Sequence, residues 1–132
     1  MGTRTVNILI VDDEQRTCAY VAKILSRRGW HVDTALDGPH ALDLAGKTKY
    51  DAVVLDYRLP GMDGAEVCRR IREAQPEVRG VFLTGYPTID TVYPAVAAGA
   101  ERVLAKPVDP AELVHTLEEQ LATQAAGHGP HE

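Results

Sequence analysis

Five side chains of this sequence could act together on a charged group: Asp12, Asp13, Asp56, Thr84 and Lys106. Each lies at the end of a short apolar run. Asp12 and Asp13 follow "ILIV", Asp56 ends "DAVVLD", Thr84 follows "VFL", and Lys106 follows "RVLA". A carboxylate at the end of a buried run is costly without a partner, and close carboxylates disfavour one another's ionisation. Three of them brought together need a cation. A hard divalent ion with oxygen ligands, Mg²⁺ above all, would neutralise them and keep positions open for a phosphoryl oxygen. Asp56 could then attack phosphorus and form an acyl phosphate. Thr84 could donate to a second phosphoryl oxygen, and Lys106 could neutralise a third. The protein would supply positioning and charge stabilisation for phosphoryl transfer. Taken singly, each residue has a plainer reading. Asp12 and Asp13 would favour a helix N-terminus, Thr84 would be a turn residue, and Lys106 a solvated charge.

The elements around these residues decide between the readings. Residues 6–11, 51–56 and 80–85 are nearly continuous apolar runs, the pattern of strands buried on both faces. Residues 31–35 alternate, as a half-exposed edge strand does, and 102–107 read as a last strand. Between them the period becomes helical. Thr17, Val21, Ile24, Leu25 and Arg28 share one face, and Gly29 stops that helix. Pro39 and Gly46 bracket a second helix, and Val67, Cys68 and Ile71 face inward from a third. Residues 88–98 form a fourth, ended by Gly99. Asp109 caps a fifth, with Pro110 at its first position and Glu112 completing a capping box. Five strand–helix units predict an α/β fold: a doubly wound, five-stranded parallel sheet between two helical layers. Ligands of such sheets bind beyond the carboxyl ends of the strands. All five candidate residues fall on that rim, whereas the edge strand brings only Ala35 and Leu36 to it.

The chain has 132 residues, the size of one domain. Residues 1–121 form the predicted domain, and 122–132 read as a frayed tail. A net charge of −5 argues against direct nucleic-acid binding, which needs a basic face. No apolar run is long enough to span a membrane, and the N-terminus lacks a signal-peptide pattern. Cys18 and Cys68 both lie in helical patterns, so a reduced, cytoplasmic location is the default expectation. The five histidines show no metal-binding spacing.

Four pieces, "VDDE" (11–14), "LDYRLPGMDG" (55–64), "LTG" (83–85) and "AKP" (105–107), occur in this order, each at a strand end. With them the chain resembles the receiver domain of bacterial two-component response regulators over residues 6–121. The resemblance implies strand order 2-1-3-4-5 and Asp56 as phosphoacceptor. It implies that Asp13 and Asp56 ligate Mg²⁺, with Asp12 helping directly or through water and the backbone carbonyl of Arg58 adding a ligand. Thr84 and Lys106 would hold the phosphoryl group, and the Lys106–Pro107 bond would be cis. The donor would be a phosphohistidine on a sensor histidine kinase or histidine phosphotransfer protein, and the output an unspecified protein target. Such a domain assists its own phosphorylation and dephosphorylation and is not a turnover enzyme on free substrates.

Two positions depart from the family. Receivers usually carry Tyr or Phe three residues before the lysine, where this chain has Val103. Tyr86, two residues after Thr84, is the candidate for part of that switching role. Pro94 falls inside the fourth helix, which is expected to begin late, near Tyr93, or to bend. Arg58 and Tyr86 flank the expected pocket and would screen an aspartyl phosphate from water. Val103 and Pro94 favour an alternative, a phosphorylation-independent interaction module of the same fold. A phosphatase of the haloacid type would need a second acid two residues after the nucleophile, where Arg58 stands.

Overall fold

A computed structural model describes residues 5–85 and 87–126. Its strands are β1 (Asn7–Val11), β2 (His31–Ala35), β3 (Ala52–Asp56), β4 (Arg79–Thr84) and β5 (Ala100–Ala105). They alternate with α1 (Gln15–Ser26), α2 (Gly38–Lys47), α3 (Gly64–Ala74), α4 (Ile89–Ala97) and α5 (Pro110–Ala126). All strand pairs are parallel, in the order β2-β1-β3-β4-β5. The expected fold class and strand order are therefore both present.

Strand alternation explains the two cores. Leu9, Val11, Val53, Leu55 and Phe82 face one side, where they meet Ala41 and Ala45 of α2, Val67, Cys68 and Ile71 of α3, and Ala95 of α4. Ile8, Ile10, Val54, Val81 and Leu83 face the other, against Cys18, Val21 and Leu25 of α1 and Leu113 and Leu117 of α5. Strands with an apolar layer on each face read as unbroken apolar runs. Strand β2 lies at the sheet edge, and only Ala35 of its five residues is fully buried.

Several boundaries differ from the sequence reading. Cys18 takes the inward position of α1, whereas Arg28 lies outside the helix and is exposed. Gly29 does end the turn, at φ +83°. Gly46 lies within α2 and does not stop it, since Thr48 is the C-cap. Helix α4 begins at Ile89, so the late start expected from Pro94 is corrected. The ring of Pro94 already holds a helical φ, and its missing N–H removes a single bond, the one to the Asp90 carbonyl. The bonds from Val92 N to Thr88 O (2.8 Å) and Ala98 N to Pro94 O (3.0 Å) stand on either side. Helix α5 continues to Ala126, past the 122 boundary of the expected tail. Alanine and glutamine are strong helix formers, and small side chains do not mean fraying. Residues 127–132 lie outside the described residues.

Gln75, the C-cap of α3, ties the end of the fold remote from the candidate site. Its Oε1 accepts from Tyr50 N (2.8 Å), and its Nε2 donates to Ala45 O (2.8 Å) and Thr48 O (2.9 Å). Two of these satisfy carbonyls at the end of α2 that have no partner in the helix. Gln75→Ala is expected to lower stability by about 2 kcal/mol, because part-buried groups lose their partners. A fall in the urea midpoint with unchanged m-value would show it.

Candidate functional site

The carboxyl ends of β1, β3, β4 and β5 lie side by side, so their last residues share one rim. Asp12 follows β1 and is 1% exposed. Its N–H donates to Ala35 O (3.1 Å), which fixes the backbone against β2. Its Oδ1 accepts from Glu14 N (2.9 Å), and its Oδ2 accepts from Lys106 Nζ (3.1 Å). Asp56 ends β3. Its Oδ1 accepts from Arg58 N (3.1 Å), and its Oδ2 accepts from Lys106 Nζ (3.0 Å). Asp13 is exposed beside them. One carboxylate oxygen from each of Asp12, Asp13 and Asp56 falls within 4.8 Å of the others.

Thr84 is buried at the end of β4, in register with Ala105. Its carbonyl accepts from Lys106 N (2.8 Å). That bond carries the pairing one residue past β5 and delivers the lysine to the rim. The Lys106–Pro107 peptide is cis, as the resemblance implied. The structure thus joins Asp12, Asp13, Asp56 and Lys106 directly and sets Thr84 on the neighbouring strand. Arg58 is exposed, and its backbone N–H holds Asp56. Val103 packs half-buried against the core that includes Phe82 and Ala95, beneath α4. Tyr86 lies outside the described residues.

Burial pushes the Asp12 carboxyl above its ordinary range, against the pull of the Glu14 amide and Lys106. Burial also disfavours the Lys106 ammonium, but hydrogen bonds to Asp56 and Asp12 outweigh it and hold the pKa above the usual lysine value. One ammonium among three carboxylates leaves a surplus of negative charge. An all-oxygen donor set with such a surplus fits a hard divalent cation.

A pH dependence follows for the metal-free protein. Asp12 has a raised pKa in the fold, so between the unfolded value near 3.8 and the folded value the native state holds the extra proton. Stability then falls as pH rises through that window. Asp12→Asn cannot ionise. It is expected to be more stable than wild type at pH 7 in chelator, with the difference vanishing near pH 3. Urea midpoints across that range check it.

Two features of the site escaped the sequence reading. An open cavity of about 540 Å³ beside Lys106 is walled by Glu14, Thr17, Tyr20, Pro107 and Val108. The available signal was Tyr20, an aromatic off the inward period of α1 and 51% exposed. The other is Gly64, whose Cα sits against the backbone of Asp56. A Cβ there would lie 2.4 Å from Asp56 O.

This fold and rim define a class. A family model described as "Response regulator receiver domain" matches residues 8–118, and the chain belongs to that family. Transcriptional regulatory protein TcrA of Mycobacterium tuberculosis is 40% identical over 112 residues, 85% of this chain and 44% of that protein. The chain thus spans about half the length of such curated relatives. A CheY-like receiver domain protein from Methanospirillum hungatei superposes with a TM-score of 0.90 at 27% identity, covering 94% of this chain and 99% of that one. A Burkholderia pseudomallei response regulator, determined with a phosphorylated aspartic acid, a calcium ion and citrate, has a TM-score of 0.81 at 31% identity. That match covers 94% of this chain and 73% of the other. The chain is a receiver domain of two-component response regulators.

Proposed function

We propose that Asp56 accepts a phosphoryl group from a phosphohistidine of a sensor histidine kinase or histidine phosphotransfer protein. The observation that carries this reading is the Lys106 ammonium bridging Asp12 Oδ2 and Asp56 Oδ2 inside a three-carboxylate cluster. An Asp56 carboxylate oxygen forms the bond to phosphorus as the phosphorus–nitrogen bond breaks. The imidazole nitrogen keeps that electron pair and takes up a proton. Lys106 and the Thr84 hydroxyl hold phosphoryl oxygens and stabilise their charge. Asp13 and Asp56 would hold Mg²⁺, with Asp12 assisting and the Arg58 carbonyl completing the protein ligands. The ion supplies charge neutralisation between the carboxylates and the phosphoryl group. The phosphorylated aspartate and calcium of the Burkholderia pseudomallei relative support both assignments by analogy.

In this reading the domain is a phosphoacceptor that assists its own dephosphorylation, and it acts in the cytoplasm on a downstream protein. Among the described residues no helix is long and apolar enough to cross a membrane. Both cysteines are free and buried, with thiols pushed up to about 11 by burial. A second reading, an interaction module that does not need phosphorylation, is favoured by Val103. A branched side chain with one stiff torsion cannot swing as an aromatic ring does.

Intact-protein mass after incubation with acetyl phosphate separates the two. The expected result is a single phosphoryl adduct that requires Mg²⁺ and disappears in Asp56→Asn. No adduct on wild type, with Mg²⁺ binding retained, would favour the interaction module. An adduct persisting in Asp56→Asn would sink the assignment of the acceptor.

A further inference from the structure

A second charged cluster lies at the opposite end of the sheet, where the proposed chemistry has no use for it. It joins Arg72 of α3, Arg79 at the start of β4 and Glu101 of β5. Gly80 pairs with Ala100 and Val81 with Arg102, so Glu101 is the extra residue of a bulge. Its Oε2 lies 3.4 Å from Arg72 Nη1 and 3.6 Å from Arg79 Nη1. Arg72 Nη1 also donates to the Val78 carbonyl. Arg79 Nε is buried with no hydrogen-bond partner among the described residues. One carboxylate therefore serves two guanidinium groups.

The same arginine covers the joint between α4 and β5. Gly99 turns the chain there at φ +103°. A Cβ at Gly99 would lie 2.6 Å from both Cδ and Nε of Arg72, so the arginine stem rests directly on the joint. Helix α4 is otherwise lightly held. Ala95 is fully buried, but Ile89, Tyr93 and Val96 are 75%, 69% and 55% exposed. Pro94 leaves the Asp90 carbonyl without its helical donor. Elements with few buried contacts open locally at lower free energy than the core.

We infer that Arg72 is a latch on α4: pinned by Val78 O and Glu101, it holds the Gly99 joint closed and sets how readily α4 leaves β5. Movement of α4 about this joint must displace the arginine stem, which the bonds of Arg72 to Val78 O and Glu101 oppose. The latch thereby governs the position of the apolar Ile89–Tyr93–Val96 stripe. The inference is independent of the role of Asp56.

Amide hydrogen exchange read by mass spectrometry tests it on the full chain. Arg72→Met keeps an unbranched stem over Gly99 and removes the guanidinium. Glu101→Gln keeps the shape and leaves two like charges facing each other. Both variants are expected to exchange residues 89–101 about tenfold faster than wild type, with α1 and α5 unchanged. Unchanged exchange over 89–101 in both variants would overturn the latch. Equal acceleration in every helix would also overturn it, because the cluster would then support the whole fold and not this joint.

Discussion

Lys106→Met is expected to slow phosphoryl incorporation from acetyl phosphate by about 100-fold, the effect of losing one preorganised charge at a developing oxyanion. The same substitution is expected to tighten Mg²⁺ binding. The two effects have one cause. In the metal-free protein Lys106 Nζ holds the Oδ2 atoms of Asp12 and Asp56 at 3.1 and 3.0 Å. These are oxygens of the carboxylates that would ligate the ion, so the cation must compete with the ammonium for them. The Oδ1 atoms are already engaged by the amides of Glu14 and Arg58. Methionine keeps the length of the stem and removes the charge. The competition disappears, and affinity for Mg²⁺ rises about tenfold, equivalent to roughly 1.4 kcal/mol. Titration calorimetry with Mg²⁺ measures one arm, and adduct mass against time measures the other. Tighter metal with slower transfer separates Lys106 from a purely structural residue, whose loss would weaken both. Weaker Mg²⁺ binding in Lys106→Met would show that the lysine shapes the metal site and does not compete for it.

The candidate site was legible because each candidate residue ends a strand or directly follows one. A parallel sheet places all strand ends of one sense on one rim, so position along the chain becomes position in space. That is why Asp12, Asp56 and Lys106 could be brought together on paper across 44 and 50 residues. The edge position of β2 was legible from its polar alternation. Less legible were features set by tertiary contact. Pro94 does not delay the start of α4, because the propensity cost of one missing bond does not decide a helix whose Ala95 is buried in the core. Ala122 to Ala126 were undervalued, since a run of small residues reads as loose until its helix propensity is counted. Arg72, Gly99 and Glu101 left no shared motif, and only the bulge in β5 turns the glutamate toward both arginines. Val103 illustrates the remaining gap. Its type marks it for the core, but its place beside Ala95 of α4 is set by tertiary contact.

Gly64→Ala is expected to lower stability markedly, although alanine is the better helix former. Gly64 is the first residue of α3 and is buried. Its N–H donates to Tyr57 O (2.8 Å), which closes the loop that follows Asp56. An added Cβ would lie 2.4 Å from Asp56 O, 3.1 Å from Tyr57 Cα and 3.2 Å from Tyr57 O. All three atoms are backbone, so no rotamer change relieves the overlap. The opposing gain, from helix propensity and a less flexible unfolded chain, is at most about 1 kcal/mol. Overpacking costs about 1–3 kcal/mol and occasionally more, and a 2.4 Å approach to backbone puts this case at the upper end, so steric conflict wins. A fall in Tm of roughly 10 °C is expected for a domain of this size. Gly46→Ala is the matched control. It also lies in a helix, but a Cβ there meets nothing within 4 Å. That variant is expected to gain about 0.5–1 kcal/mol. Thermal unfolding of both variants separates close approach from conformational freedom, because only the first distinguishes the two glycines. The consequence reaches the site as well. The displaced atom is the carbonyl of Asp56 itself, so any Gly64→Ala protein that remains folded is expected to accept phosphate more slowly. A Gly64→Ala protein as stable as Gly46→Ala would mean that the loop yields freely and does not hold Asp56 in place.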